Sequence, residues 1–188
     1  MQAAAVAQPS GMVSIMGVDE AAVDKLCQDA GAGDILAPAN FNCPGQIVIS
    51  GTKAACERAV QLAATYDARA IPLVVAGAFH SPLMESAAQG LEPALALSKI
   101  KISRIGVVSN VSADYHADPD SVRRLLREQV ARPIRWQASI ERLIAEGYDR
   151  FAEVGPGRVL TGLMKKINRS VTTVNYSTAA HLAKAEAV

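Results

Sequence analysis

The segment Gly77-Ala-Phe-His-Ser-Pro-Leu-Met84 contains the residue best suited to chemistry, His80. It lies after a predicted strand and just before a predicted helix, and open α/β sheets place their sites in loops of this kind. A neutral imidazole there can act as general base toward a hydroxyl or thiol, then as general acid toward the leaving group. The alternative, which composition alone favours, is a loop histidine that caps the helix. His116, in a polar loop, and His181, near the end of the chain, are predicted to be solvated.

A histidine base needs a nucleophile, and the sequence does not supply one of the usual form. None of the serines lies in the G-x-S-x-G pattern of the strand-to-helix elbow found in α/β enzymes. The thiol that stands in the most suggestive position is Cys43, in Phe41-Asn-Cys-Pro-Gly45. No basic residue adjoins it to lower its pKa, so a structural cysteine in a hairpin turn is the favoured interpretation.

Composition and net charge limit which partners, structural cross-links and cellular location can be expected for this chain. The chain has 188 residues, of which 50% are hydrophobic, and a formal net charge of +1. This balance gives no reason to expect nucleic acid or an anionic membrane as partner. Its three cysteines show no CxxC spacing, so neither a disulfide framework nor a metal site is predicted, and a cytoplasmic location is expected. No apolar run approaches the roughly 20 residues that span a bilayer.

The first part of the chain has the element order β-α-β-β-α-β, which is typical of a ferredoxin-like unit. It follows an Ala-rich stretch, MQAAAVAQ, that is predicted to be the end of a helix stopped by Pro9. The predicted strands are Met12–Met16, Ile35–Asn42, Gln46–Ser50 and Ala68–Val75, and the predicted helices are Asp19–Ala30 and Thr52–Tyr66.

The remainder alternates strands, glycine turns and helices, which indicates α/β architecture. A helix is predicted to begin at Ser81 and Pro82, and the apolar run Ile105–Asn110 is typical of a buried parallel strand. The other predicted elements are helices at Ser81–Leu97, Pro119–Val130, Trp136–Glu146 and Val159–Ile167, strands at Arg150–Val154 and Val171–Tyr176, and a frayed helix at residues 179–188.

Three segments together closely resemble malonyl-CoA:acyl carrier protein transacylases, in the order and at the spacing of that family. They are Ala39-Asn-Phe-Asn-Cys-Pro-Gly-Gln-Ile-Val-Ile-Ser-Gly51, Gly77-Ala-Phe-His-Ser-Pro-Leu-Met84 and Glu153-Val-Gly-Pro-Gly-Arg-Val-Leu-Thr-Gly-Leu163. The resemblance implies part of an α/β-hydrolase-like acyltransferase core with an inserted ferredoxin-like subdomain. We therefore expect residues 1–10 to end a core helix, residues 11–76 to form the subdomain and residues 77–188 to continue the core.

The resemblance also implies a reaction and a set of site residues. Such enzymes transfer malonyl from malonyl-CoA to the phosphopantetheine thiol of acyl carrier protein by a ping-pong Ser/His mechanism, in fatty acid or polyketide synthesis. His80 matches the catalytic histidine, and Gln129 matches the residue whose main-chain carbonyl orients it. Phe79 is implied to disfavour a methyl branch on the substrate, and Asn40 and Asn42 to lie near the mouth of the site, with turn stabilisation as their alternative role. No cofactor is implied, because malonyl-CoA is a substrate and the partner carries the phosphopantetheine.

The sequence departs from that family in lacking the serine elbow, a glycine- and glutamine-rich oxyanion motif and the arginine that pairs with the malonate carboxylate. We therefore expect the chain to begin after the elbow and to be inactive alone, with a missing amino-terminal half as possible partner. Two alternatives stay open: a non-catalytic module that binds an acyl group, a thioester or another protein, and one half of a split acyltransferase.

Basic residues are concentrated in the later part of the chain. Some of them could dock an acidic carrier protein, although ordinary solvated helix surface is the favoured interpretation. The residues are Arg123, Arg124, Arg127, Arg132, Arg135, Lys165, Lys166 and Arg169.

Overall fold

The computed structural model describes residues 1–181, which fall into two units, one of residues 1–139 and one that begins at Ile140. The boundaries predicted at residues 10 and 76 both lie inside the first unit, and as subdomain limits they stay predictions. The tail predicted to fray, residues 179–188, lies mostly outside the described residues. No helix within residues 1–181 is both long and apolar enough to cross a membrane.

The first unit is built on a four-stranded antiparallel sheet with the strand order β2-β3-β1-β4. The chain follows the predicted order β-α-β-β-α-β after a short first helix. Its fourth strand stops at Pro72, which has no N–H to donate, and not at Val75 as predicted. The elements are α1 (Gln2–Ala7), β1 (Ser10–Met16), α2 (Glu20–Gly31), β2 (Leu36–Cys43), β3 (Gln46–Thr52), α3 (Lys53–Leu62), a 3-10 turn (Ala63–Tyr66) and β4 (Arg69–Pro72).

Local sequence signals explain where these elements begin and end. The side chain of Asp19 accepts a hydrogen bond from Ala22 N at 2.9 Å and caps α2, and Thr52 caps α3 in the same way. The β2–β3 hairpin turns at Pro44 and Gly45, where Gly45 has a φ of 71° that favours glycine. The predicted hairpin is therefore confirmed.

The main core lies between one face of this sheet and the helices α2 and α3. Residues from β1, β3 and α2 fill it, and each large apolar side chain contributes about 1.5–3 kcal/mol when fully buried. The buried members are Val13, Ile15, Val23, Leu26, Cys27, Ala30, Ile47, Ile49, Cys56 and Ala59. On the opposite face, Met12, Ala39 and Val48 form a smaller cluster against Phe79.

Two further helices of the first unit pack together, α4 (Glu85–Leu97) and α5 (Pro119–Ala131). Arg127 of α5 joins them, with nitrogens 2.5 Å from Glu85 Oε1 and 2.5 Å from Glu92 Oε1. The predicted start of α4 needs correction. Residues Pro82–Met84 form a 3-10 turn before α4, and Ser81 makes no side-chain cap.

The apolar run Ile105–Asn110 was predicted to be a buried parallel strand, and that prediction was wrong. Ile105 is 80% exposed and Val107 is 51% exposed. Val108 makes only an isolated bridge with Tyr115, and no strand of the described residues pairs with this run. Apolar composition does not produce a strand where no neighbouring strand offers backbone partners.

The second unit contains a parallel pair of strands joined through a helix. Helix α6 (Trp136–Ala145) precedes β5 (Arg150–Val154), α7 (Val159–Ile167) and β6 (Thr172–Tyr176). Strands β5 and β6 pair in register from Arg150 with Thr172 to Val154 with Tyr176.

Glu153 fixes the loop Gly155-Pro-Gly157 and the first turn of α7. Its carboxylate accepts hydrogen bonds from Leu160 N at 3.0 Å, Thr161 N at 2.9 Å and Thr161 Oγ1 at 2.6 Å. Asn175 Nδ2 donates to the same carboxylate at 3.2 Å and to Gly157 O at 2.9 Å. The Glu-Val-Gly-Pro-Gly motif is therefore built around a carboxylate at a helix start, where orphan N–H groups need acceptors.

These donors lower the pKa of Glu153 below its ordinary value, with the Thr161 hydroxyl as the largest cause and partial burial opposing it. A carboxyl whose pKa is lowered by folding stabilises the fold above the unfolded pKa and loses that contribution as pH falls through the folded pKa. We expect Thr161→Val to raise the midpoint of an NMR titration of the Glu153 carboxyl toward the ordinary value. Thr65→Val, in the 3-10 turn of the first unit, should leave that midpoint unchanged, and an equal midpoint in wild type and Thr161→Val would contradict the assignment.

Candidate active site

A tight turn between β4 and α4 presents His80. Phe79 N donates to Gly77 O at 3.0 Å, and the buried Ser81 Oγ donates to Ala78 O at 2.7 Å. Within this turn His80 has a φ of 57°, in the left-handed region that few residues other than glycine occupy. Backbone of this kind persists only where its surroundings hold it, and it is concentrated at functional sites.

The imidazole of His80 contacts the main chain at the end of α5. Its Nδ1 lies 2.8 Å from Gln129 O and 3.5 Å from Gln129 Nε2. Nδ1 cannot donate to the carbonyl and accept from the amide at once, and the shorter contact favours donation to the carbonyl. This arrangement places the proton on Nδ1 and leaves Nε2 as the basic nitrogen.

The position of Gln129 explains why its carbonyl is available. Helix α5 ends at Ala131, and the last four carbonyls of an α-helix have no partner within the helix. The start of the same helix is fixed by a capping box, in which Asp118 accepts from Ser121 N at 2.7 Å. The acceptor for His80 is thus a helix end that carries a partial negative charge and no ionisable group.

His80 lines an open cavity of about 600 Å³ within the first unit. This volume lies in the range of small-molecule sites. The imidazole is half-buried, so it is neither sealed in the interior nor fully solvated. Other residues that line it include Asp24, Phe41, Glu128, Arg132 and Arg135.

Backbone bonds tie one wall of the cavity to the other. Ile134, just after α5, donates from its N to Ala39 O at 2.8 Å and accepts from Phe41 N at 2.8 Å. It thereby forms a parallel bridge with Asn40 on the edge strand β2. This bridge holds β2 beside the end of α5, where Gln129 contacts His80.

The remaining predicted site residues lie around this cavity, but the cavity lining within residues 1–181 contains only His80 of the five. Phe79 packs against two buried clusters, one that contains Met84 and one that contains Val48. Asn40 and Asn42 are half-buried on β2 itself, and the hairpin turn begins only after Cys43. Their predicted contacts with substrate stay predictions.

The other candidates for chemistry are less accessible. Cys43 is 1% exposed, with Sγ 3.6 Å from Gln46 Oε1, so it cannot serve as an open nucleophile. His116 is half-buried with its Nδ1 enclosed, and the prediction that it is solvated was wrong for this nitrogen. Among residues 1–181, no group of three or more His, Cys, Asp or Glu side chains is placed to hold a metal ion.

The fold is that of an acyltransferase domain, and the chain belongs to the acyl transferase domain family, whose model matches residues 3–186. It is similar to the malonyl CoA-acyl carrier protein transacylase of Bacillus subtilis, with 44% identity over 182 residues that cover 94% of this chain and 56% of the relative. A crystal structure of malonyl-CoA:acyl carrier protein transacylase from Xanthomonas oryzae matches with a TM-score of 0.92 and 40% identity, over 98% of this chain and 59% of that one. These comparisons confirm the α/β acyltransferase fold class.

A further solved structure shows a malonyl-transacylase in complex with a type II polyketide synthase acyl-carrier protein. It matches with a TM-score of 0.90 and 35% identity, over 94% of this chain and 58% of the transacylase. The chain spans somewhat more than half the length of the curated relatives that it matches.

Proposed function

We propose that this chain supplies the histidine-bearing part of a malonyl-CoA:acyl carrier protein transacylase. The observation that carries the proposal is the contact of His80 Nδ1 with Gln129 O, 2.8 Å, at the edge of an open cavity. Such a contact leaves Nε2 free to move protons at an acyl group. The names of the relatives, which specify malonyl-CoA and acyl carrier protein, support the choice of substrates.

In the first half-reaction, a serine Oγ attacks the thioester carbonyl of malonyl-CoA while Nε2 of His80 accepts the hydroxyl proton. The bond from the carbonyl carbon to sulfur breaks, and the coenzyme A sulfur leaves with the proton that His80 returns. In the second half-reaction, His80 takes the proton of the carrier protein's phosphopantetheine thiol. That sulfur attacks the malonyl-serine ester, and the serine oxygen regains the proton as the ester bond breaks.

The serine in this scheme lies outside the 188 residues, because no serine in the sequence stands in a G-x-S-x-G pattern. Gln129 serves through its main chain only, and it holds the imidazole in the tautomer that the reaction needs. Phe79, which precedes His80 in the same turn, is proposed to limit the room for a methyl branch on the malonyl group. One methyl group is worth about 1–3 kcal/mol in such a pocket, so a preference and not an absolute filter is expected. Asn40 and Asn42 are proposed to contact substrate from β2.

The proposal is tested with a chimera in which this chain replaces the matched residues of the Bacillus subtilis transacylase. The chimera is expected to transfer malonyl from malonyl-CoA to carrier protein, measured by the mass of the carrier. The 188-residue chain alone should give no product above background, because loss of the nucleophile of a serine triad costs about a million-fold in turnover.

Two results would contradict the proposal. The first is a chimera that folds, as judged by circular dichroism and a cooperative melt, but forms no malonyl-carrier. This result would show that the site does not support malonyl transfer. Robust turnover by the chain alone would show that the nucleophile lies within the 188 residues. The part of the relative outside the matched region, assayed alone, is the control for background.

A further inference from the structure

Five arginines lie between residues 123 and 135, and they divide into two groups. The three on α5 are engaged by acids of the same chain: Arg123 with Asp120 at 2.9 Å, Arg124 with Glu128 at 3.0 Å, and Arg127 with Glu85 and Glu92 at 2.5 Å each. Arg132 and Arg135 follow the helix and make no ion pair with any residue of the described chain. Within this stretch they are therefore the guanidinium groups left for an external anion.

Arg132 and Arg135 both line the cavity that contains His80, and both are exposed to solvent. Their backbone is held in place although their side chains are open. Between them Pro133 restricts the chain, Ile134 bridges to β2, and Arg135 N donates to Asn110 O at 2.8 Å. Two arginine side chains thus extend from a fixed stretch of backbone that lines the cavity.

The charge balance around the cavity also favours an anion. Its acidic lining residues are Asp24 and Glu128, and Glu128 is already neutralised by Arg124. Arg132 and Arg135 then outnumber the remaining acid, Asp24. Arginine binds phosphate through paired, charge-assisted hydrogen bonds and is the preferred side chain for that purpose.

We propose that Arg132 and Arg135 bind the phosphate at the end of the pantetheine arm while the thioester of that arm lies beside His80. This inference rests on the proposed function. The arm is a linear chain with sulfur at one end and phosphate at the other, which suits a cavity lined by a half-buried base and by two exposed guanidinium groups. Coenzyme A and the carrier protein share this arm, so the same two arginines serve both half-reactions.

The test is an NMR titration of the 188-residue chain with three probes: pantetheine, 4′-phosphopantetheine and coenzyme A. We expect both phosphorylated probes to bind at least about tenfold more tightly than pantetheine, since one charge-assisted hydrogen bond contributes about that factor. Arg132→Gln/Arg135→Gln should abolish this difference and leave the affinity for pantetheine unchanged. Arg132→Lys/Arg135→Lys should retain part of this difference, because the positive charge remains while the paired N–H donors of the guanidinium group are lost.

Arg69→Gln is the matched control, because Arg69 is an exposed arginine on β4, at the opposite edge of the sheet from β2. It should keep the full preference for phosphate. Equal affinity for all three probes, absence of binding, or a preference that survives Arg132→Gln/Arg135→Gln would each overturn the inference. A preference for coenzyme A that 4′-phosphopantetheine does not share would also overturn it, since the nucleotide would then be the group recognised. The chimera assay decides the proposed function separately: transfer without any phosphate preference keeps that function and discards the phosphate site.

Discussion

Replacement of His80 by alanine in the chimera is expected to lower kcat for malonyl transfer by about a million-fold, as removal of the base does in serine hydrolases. Without an imidazole, no group held by Gln129 O accepts the serine proton in the first half-reaction or the thiol proton in the second. The measurement is single-turnover formation of malonyl-carrier, with circular dichroism to verify folding. Because His80 is half-buried on a turn, its truncation should leave the core intact.

Gln129→Ala is the control for this prediction, because it distinguishes the role of the main-chain carbonyl of Gln129 from that of its side-chain amide. The carbonyl that lies 2.8 Å from Nδ1 is retained in the alanine variant, whereas the amide at 3.5 Å is removed. Turnover should fall by less than about tenfold, the factor that corresponds to one hydrogen bond. Activity of His80→Ala within tenfold of wild type would exclude His80 as the base, and a large loss in Gln129→Ala would assign the orienting role to the amide.

Gly51→Ala is expected to destabilise the first unit by about 3 kcal/mol, toward the upper end of the range for overpacked sites. A Cβ at residue 51 would lie 2.1 Å from Ile35 O and 2.8 Å from Leu36 Cα. Both are backbone atoms, one in the residue before β2 and one in the first residue of β2, so the strand itself would have to move. Urea denaturation of wild type and variant, monitored by circular dichroism, gives the difference in the free energy of unfolding.

Gly11 provides a matched control because it pairs with Gly51 across β1 and β3. A Cβ added at Gly11 meets no atom within 4 Å. Gly11→Ala should therefore be neutral or slightly stabilising, since it lowers the entropy of the unfolded chain. Equal losses in the two variants would show that the effect is a general cost of alanine in this sheet and not a clash with β2.

The sequence predicted the β-α-β-β-α-β part of the first unit well because the signals there are local. The β2–β3 hairpin follows from Pro44-Gly45, and the helix caps Asp19 and Thr52 act within three residues of their own positions. The run Ile105–Asn110 misled the prediction because strand formation depends on a partner that composition does not reveal. Ser81 misled it differently, since its hydroxyl bonds back to Ala78 O and not forward to the helix.

The candidate site was predicted through the resemblance of whole motifs, and its geometry was not predictable residue by residue. Nothing local indicates that His80 takes a positive φ or that the last turn of α5, which contains Gln129, lies beside it. The separation of Arg132 and Arg135 from the paired arginines on α5 was also beyond the sequence, because it depends on which acids lie within reach in three dimensions.

The number of residues between Gln129 and Ile134 is fixed by contacts at both ends of this stretch. At one end it meets His80, and at the other it bridges to Asn40. Loss or gain of a single residue between these ends would preserve one junction only by displacing the other. Among homologues we therefore expect amino-acid replacements here to be common, whereas insertions and deletions should be rare.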